Sequence, residues 1–173
     1  MLKRSAFLLI LTVFVLALAV EAYAAGELWV QRYNGPGNWD DYTHAIAVDS
    51  IGNVYVTGSS YGSGTDLDYA TVKYDSSGNQ LWVQRYNGPG NGHDIPQGIA
   101  VDSNENAYVT GYSTGTESGG DYATVKYDSG GNQVWVQRYH GPGNGDDWAY
   151  AIAVDANGNV LLLSVRICRA RRS

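Results

Sequence analysis

Two stretches of the sequence carry the Gly-x-Ser-x-Gly pattern that presents a nucleophilic serine in many hydrolases. They are Gly58-Ser59-Ser60-Tyr61-Gly62 and Gly111-Tyr112-Ser113-Thr114-Gly115. That chemistry needs a strand, a sharp turn and then a helix, so that the serine stands beside an oxyanion hole. No helical pattern follows either stretch, and the two occupy the same position of a repeat. We therefore expect both to be structural, and we expect no enzymatic activity.

Carboxylates and imidazoles could bind a metal, but their spacing does not favour it. A calcium loop of the EF-hand type needs acids at its first, third and fifth positions and a distal Glu. Five turn-like segments each supply only one such carboxylate, from Asp49, Asp75, Asp102, Asp128 and Asp155. The three histidines, His44, His93 and His140, stand at non-equivalent repeat positions. Hairpin turns are the expected role of these segments, without metal or cofactor.

A third group places tryptophan or histidine beside acids in the longer loops. Aromatic rings next to carboxylates can stack on sugar rings or hold a cationic partner. The alternative is that each tryptophan covers the end of its own unit. The candidate binding residues, for a protein or carbohydrate ligand, are Trp39, Asp40, Asp41, His93, Asp94, Asp146, Asp147 and Trp148.

These residues are spaced by a repeat that dominates the chain. The segment Leu28-Trp29-Val30-Gln31-Arg32-Tyr33 recurs at 81–86 and 134–139, a step of 53 residues. Residues 45–49 recur at 98–102 and 151–155 with the same step. Runs rich in Val, Thr, Tyr and Trp alternate with Gly, Asn and Asp, which favours strands joined by turns. The fold class is therefore predicted to be all-β.

Each unit predicts four strands, which we call A, B, C and D in chain order. In the middle unit they are residues 97–102, 107–112, 121–127 and 133–139. Tight turns beginning with Asp join A to B and C to D, and longer loops make the other connections. An antiparallel meander reverses at every connection, so the tight turns are expected on one rim and the long loops on the other. Variable loops on one side of a repeat array favour a binding face there.

Large and charged residues that recur with the repeat predict how the units pack. Trp29, Trp82 and Trp135 share one position of strand D, and we expect them to pack between neighbouring units. Lys73 and Arg85 are expected to pair with Asp68 or with nearby polar groups.

The repeat also resembles a known family. Four-stranded units of about 40–50 residues are typical of propeller blades. Gly98-Ile99-Ala100-Val101-Asp102, the turn, and Ala107-Tyr108-Val109-Thr110-Gly111 resemble the SBBP repeat, the seven-bladed β-propeller repeat of secreted bacterial and archaeal proteins. A weaker likeness to NHL-type blades lies in the same stretch. The resemblance implies a β-propeller-like stack of four-stranded antiparallel blades, used for binding or structure at cell surfaces, and it transfers no catalytic residue.

Counting strands predicts that the propeller is incomplete. The sequence offers a leading D strand at 27–33, two full units, and the A and B strands of a third, which makes eleven strands. A closed propeller needs about four blades or more, so open blade faces would expose apolar side chains and favour self-association. Repeat identity stops at Leu161 and an arginine-rich end follows. A frameshift or premature stop explains this pattern, and a terminal cap is the alternative.

The first residues predict export. Lys3 and Arg4 precede an apolar run from residue 6 to residue 20, and Ala22-Tyr23-Ala24 offers small residues for cleavage after position 24. The apolar run is shorter than the roughly 20 residues that span a bilayer, so no stable membrane span is expected after cleavage. The predicted organisation is a signal peptide at 1–24, an incomplete β-propeller repeat domain at 25–165 and a basic tail at 166–173.

Charge excludes one class of partner. Residues 25–165 hold 16 acidic and five basic residues. This balance argues against nucleic acid, because phosphate binding requires a basic surface. The single cysteine, Cys168, leaves no internal disulfide, so the fold must depend on packing and strand pairing.

Together these features predict a non-enzymatic, extracytoplasmic binding or structural module, located at the cell surface, in the periplasm or in the medium. One alternative is a remnant of a larger secreted repeat protein without activity of its own. Another is a secreted hydrolase or lyase that uses a propeller rim, which would need convergent histidines, acids and a metal.

Overall fold

Ten β-strands form the fold in the computed structural model, which describes residues 26–116, 119–141 and 145–167. Their bounds are β1 Asp41–Val48, β2 Val54–Tyr61, β3 Leu67–Tyr74, β4 Gln80–Tyr86, β5 Asp94–Val101, β6 Ala107–Thr114, β7 Gly120–Tyr127, β8 Gln133–Tyr139, β9 Asp146–Val154 and β10 Val160–Ile167. The predicted signal peptide and residues 168–173 lie outside the described residues. Within those residues, no helix has the length and apolar character needed to cross a membrane.

The strands form two complete sheets and part of a third. Sheet order follows chain order, β1-β2-β3-β4 in blade 1 and β5-β6-β7-β8 in blade 2, and β9 pairs with β10 in partial blade 3. Every neighbouring pair is antiparallel. The all-β, blade-like prediction is confirmed, and so is the prediction that the propeller does not close. The strand at the end, β10, continues to Ile167, into the segment predicted as a basic tail.

Register is the same in both complete blades. Thr57 pairs with Thr71 in blade 1, and Thr110 pairs with Thr124 in blade 2. A bulge in strand A lies opposite Gly58, where a Cβ atom would stand 2.0 Å from the carbonyl oxygen of Tyr42. Only glycine fits at such a distance. The first glycine of the Gly-x-Ser-x-Gly stretch is therefore required by the bulge.

The core lies between blades 1 and 2 and is built on aromatic side chains. Tyr55, Tyr69, Trp82 and Tyr86 of blade 1 pack in one cluster with Ala107, Val109, Ala123, Val125 and Tyr127 of blade 2. Residues 25–173 contain no Phe, so Tyr and Trp supply the volume. Their polar atoms need partners when buried. The Tyr69 hydroxyl, for example, donates to the Ala123 carbonyl oxygen at 3.3 Å across the two blades.

The predicted D strand at 27–33 is wrong as a strand, although its side chains dock as predicted. Residues 26–40 form no sheet, because a D strand needs strand C of its own blade and the described residues hold none for it. Trp29 nevertheless packs 5.7 Å from Tyr74, and its indole N–H donates to the Ser76 carbonyl oxygen at 3.2 Å. Trp82 makes the same hydrogen bond to Ser129 of blade 2. The predicted role of these tryptophans between units is confirmed for both.

Candidate functional site

On the tight-turn rim, the leading aspartate of each turn forms its hydrogen bonds within that same turn. In each turn one carboxylate oxygen of the leading Asp accepts two backbone N–H groups and the other accepts the side-chain amide of the closing Asn, as Asp75 does with Ser77 and Asn79. Hydrogen bonds from the Asn79 side chain and backbone lower the pKa of Asp75. The carboxylate is fully engaged inside its own turn, and the predicted hairpin role of these segments is confirmed.

The long-loop rim is held by aspartates that the sequence had placed among the binding candidates. Asp41, Asp94 and Asp147 accept the backbone N–H of a glycine six residues earlier, at 2.8, 2.6 and 2.6 Å. Asp94 is fully buried, and this burial raises the pKa of its carboxyl despite hydrogen bonds from Ser113, Gly88 and Thr114. These three carboxylates anchor the loop that enters each blade, and burial leaves Asp94 and Asp147 with little surface for a ligand.

A second buried cluster lies under the same rim and uses the serines of the Gly-x-Ser-x-Gly stretches. Arg85 donates to the Ser60 hydroxyl at 2.7 Å, to the Ser60 carbonyl at 2.6 Å and to Asp68 at 3.0 Å. Its remaining contact is the Tyr33 hydroxyl at 3.2 Å. The predicted pairing of Arg85 with Asp68 is therefore confirmed.

Blade 2 repeats this cluster with one addition. Arg138 donates to Ser113, to Asp121 at 2.8 Å and to the Tyr86 hydroxyl at 2.9 Å. The Nδ1 atom of His140 adds a hydrogen-bond contact to the second oxygen of Asp121, also at 2.8 Å. The sequence predicted a structural role for the repeated serines but not their arginine partners, and it missed the tyrosines of both clusters. The signal that could have found them is their exact repetition, since a repeated polar residue in a repeat array supports every unit alike.

The remaining candidates lie closer to the surface. Trp39 is 75% exposed, with its ring 6.3 Å from that of Tyr61. Asp40 accepts the Tyr42 hydroxyl at 3.4 Å. The Nδ1 atom of His93 lies 3.4 Å from a carboxylate oxygen of Asp66, and this contact joins the loop entering blade 2 to a loop of blade 1.

The structure does not gather all eight candidates into one site. Trp148 lies in β9 and stacks on Tyr112 of blade 2 at 4.5 Å, and Asp146 accepts the Gly120 N–H at 2.9 Å. Trp39 precedes blade 1, so blade 2 separates the two tryptophans. Their repeat positions also differ, since the counterparts of Trp148 are Tyr42 and Ile95. Trp148 is a packing residue between blades, and Trp39 remains the exposed aromatic of the rim.

Comparison with known proteins agrees with this architecture. Residues 28–64 and 81–117 match a family model described as beta-propeller repeat, SBBP. The chain is also similar to an uncharacterized WD repeat-containing protein of Acanthamoeba polyphaga mimivirus, with 30% identity over 155 residues. That similarity covers 68% of this chain and 11% of the relative, so the chain spans only a small part of the relative's length.

Proposed function

Because the chain carries two beta-propeller repeats of the SBBP family, we propose that it is a non-enzymatic binding or structural module that acts outside the cytoplasm. Its binding face is the long-loop rim. The observation that carries this proposal is Trp39, a large aromatic that is 75% exposed on a loop whose backbone is anchored by Asp41. An exposed aromatic on an anchored loop loses little conformational freedom when a ligand binds.

The chemistry around Trp39 favours two kinds of ligand. Asp40 and Tyr42 lie beside it at the rim, and the repeats as a whole are acidic. An indole face flanked by carboxylates suits a sugar ring, whose hydroxyls donate to the acids, or a cationic segment of a protein. A glycan panel and a lysine- or arginine-rich peptide are therefore the probes to use first.

Replacing Trp39 with Ala tests the proposal, because the side chain is exposed and its removal should leave the fold intact. We expect the variant to keep the thermal midpoint of the wild type and to lose about tenfold or more in affinity for the glycan or peptide that the wild type retains. Ile51→Ala is the matched control, since Ile51 is 65% exposed on the opposite rim. Equal retention of Trp39→Ala and the wild type on every probe would remove the rim from consideration.

Location outside the cytoplasm is supported by the apolar N-terminal run and the small residues at 22–24. Mass spectrometry of the chain recovered from the periplasm or medium of an expressing bacterium should show an N-terminus at Ala25. A cytoplasmic chain that keeps Met1 would contradict this part of the proposal.

A further inference from the structure

One side of blade 2 is only partly covered, in contrast to the same side of blade 1. Tyr69, Trp82 and Tyr86 of blade 1 are buried beneath blade 2, with Trp82 8% and Tyr86 9% exposed. Their repeat counterparts in blade 2 are Tyr122, Trp135 and Tyr139. Tyr139 is 48% exposed, and Tyr122 and Trp135 are only partly buried. Strands β9 and β10 therefore cover less of blade 2 than blade 2 covers of blade 1.

The uncovered surface forms a groove with a defined wall. A cavity of about 320 Å³ is lined by Tyr122, Trp135, Arg138 and Tyr139 on the side of blade 2 and by Val160 and Leu162 of β10 on the other side. Its floor is aromatic, with the Tyr122 and Tyr139 rings stacked at 5.0 Å.

The wall of this groove is an unpaired strand edge. In the complete blades the B strands β2 and β6 pair on both sides, with strand A and with strand C. Among the described residues, β10 pairs only with β9. Its other edge therefore presents backbone N–H and C=O groups that can bind an additional strand.

The junction between blades 1 and 2 shows what fills the equivalent space. There it is filled by the C–D hairpin of blade 2, which is β7, its turn and β8. Tyr127 packs 6.0 Å from Trp82, and the turn accepts the Trp82 indole N–H through the Ser129 carbonyl. Arg138 donates to the Tyr86 hydroxyl at 2.9 Å.

The turn of that hairpin also has a steric requirement. A Cβ atom on Gly131 would lie 2.8 Å from the Trp82 ring. A larger residue at this position would push the turn away from the tryptophan. Glycine is also required by the turn itself, because Gly131 has φ 87°, and the close approach to Trp82 adds a second requirement at the same position.

The first segment of the chain shows that such docking does not require a complete sheet. Residues 26–33 belong to no sheet, yet they contact blade 1 in the same way as β4 contacts blade 2. Trp29 donates to a turn carbonyl of blade 1, as Trp82 does to one of blade 2, and the Tyr33 hydroxyl accepts from an arginine of blade 1, as the Tyr86 hydroxyl does from one of blade 2. Side-chain contacts across the blade junction are thus sufficient to seat one D segment on its neighbour.

We propose that the free edge of β10 and the uncovered side of blade 2 form an acceptor groove for a C–D hairpin of this same repeat, supplied by another polypeptide. The hairpin pairs its C strand with β10, covers Trp135 with its turn and places its D-strand arginine on the Tyr139 hydroxyl. The partner is thus a chain that carries the repeat, and binding completes blade 3.

A synthetic hairpin tests this directly. A fluorescein-labelled peptide with the sequence of residues 120–139 is titrated into the full purified chain, and its fluorescence anisotropy is followed. We expect saturable binding with one peptide per chain. A Gly131→Val peptide should lose about tenfold or more in affinity, because valine is strained at the positive φ of this turn and its side chain would clash with Trp135 as it would with Trp82. Absence of binding by the parent peptide, or equal binding by the Gly131→Val peptide, would overturn the proposal.

A pair of conservative changes separates specific docking from apolar adhesion. Tyr139→Phe in the chain removes only the hydroxyl and should weaken the parent peptide about fivefold to tenfold. The same variant should bind an Arg138→Ala peptide as the unmodified chain does, because that hydrogen bond is already absent. Additive effects of the two changes would contradict the assigned contact. As a control, Val48→Lys on the exposed β1 at the other end of the chain should leave peptide affinity unchanged.

Discussion

Single residues at equivalent repeat positions can have different roles, and Glu105 is the clearest case. The fourth residue of each tight turn has positive φ; it is Gly52, Gly78, Gly131 or Gly158 in four turns, but Glu105, with φ 63°, in the fifth. A side chain in this conformation costs about 1–3 kcal/mol. In return the Glu105 carboxylate lies 2.7 Å from Nζ of Lys73, whose side chain is 3% exposed in blade 1. The sequence predicted that Lys73 would pair with Asp68 or with nearby polar groups; its partner is Glu105, on the neighbouring blade.

Replacing Glu105 with Gly should therefore destabilise the chain, although it restores the residue found in the other turns. Glycine relieves the backbone strain at this position, but the buried ammonium of Lys73 loses its carboxylate partner. Breaking such a pair costs about 3–5 kcal/mol. We expect a net loss of about 1–3 kcal/mol in the free energy of unfolding, measured by urea denaturation. Glu105→Gln removes the charge but keeps a side chain at positive φ, so it should lose at least as much stability as Glu105→Gly. A more stable Glu105→Gly chain would mean that backbone strain outweighs the ion pair.

Residue positions also explain which site predictions could be made from sequence. Asp41, Asp94 and Asp147 recur in every unit, whereas Asp40, His93 and Asp146 do not match. In each pair of adjacent residues, 40–41, 93–94 and 146–147, the aspartate that recurs in every unit is the one that anchors the loop. Adjacent acids in a loop suggested two exposed carboxylates, because nothing local reveals that one of them turns inward to a backbone N–H six residues away.

At the scale of elements, the tight turns make the fold sensitive to acid. All five leading aspartates, Asp49, Asp75, Asp102, Asp128 and Asp155, have a pKa below the ordinary 3.8 because their turns donate hydrogen bonds to them, which for Asp49 and Asp102 outweigh a burial effect in the opposite direction. The unfolded chain then binds more protons than the folded one as pH falls below 3.8, so stability falls. Asp94, whose pKa is raised by burial, acts in the opposite sense: its contribution to stability is present below pH 3.8 and is lost as the pH rises from there through the raised pKa of the folded state.

We therefore expect the free energy of unfolding to fall steadily as the pH is lowered through about 4 and below, since five lowered groups oppose one raised group. Chemical denaturation at a series of pH values measures this. Asp75→Asn keeps an oxygen for the backbone of its turn and removes one titration, so its stability should depend less steeply on pH. A chain equally stable at pH 3 and pH 7 would contradict the role given to the turns.

Elements were predicted well where both pairing partners lie in the sequence. The C and D strands of the middle unit, expected at 121–127 and 133–139, appear at Gly120–Tyr127 and Gln133–Tyr139. Strand A was expected to begin at residue 97 and begins at Asp94, because the anchored loop feeds directly into the ladder before the bulge. The leading D strand failed for a non-local reason: strand propensity cannot supply the missing neighbour.

At the scale of the whole molecule, the blades that the structure describes expose apolar side chains at both ends of the stack, which we call the open ends. On β1 the side chains of Tyr42, Ile46 and Val48 are more than half exposed, and on β10 Leu161, Leu162 and Leu163 are also exposed. Exposed apolar surface of this extent on successive strands favours association. The acidic charge of the repeats opposes it at low salt.

We expect the purified chain to associate with itself in a concentration-dependent way, and more strongly as salt screens the acidic surface. Light scattering across a range of protein and salt concentrations measures this. Ile46→Lys combined with Val48→Lys should shift the distribution toward monomer. A chain that stays monomeric under all conditions would show that the open ends do not attract one another, and heterogeneous aggregate would favour the remnant interpretation.

The seating of residues 26–33 on blade 1 has a consequence for how such arrays change length during evolution. The segments that match the family model begin at a D strand, so the unit of sequence starts with the last strand of one blade and continues into the next. A gene duplication of one such period copies the tryptophan and tyrosine of a blade junction together with the turn glycine that packs on that tryptophan, and the matching arginine follows in the next D strand. Blade number can then drift by whole periods at little cost to folding. A gain or loss of part of a period, in contrast, leaves a blade face without the strands that normally pack against it.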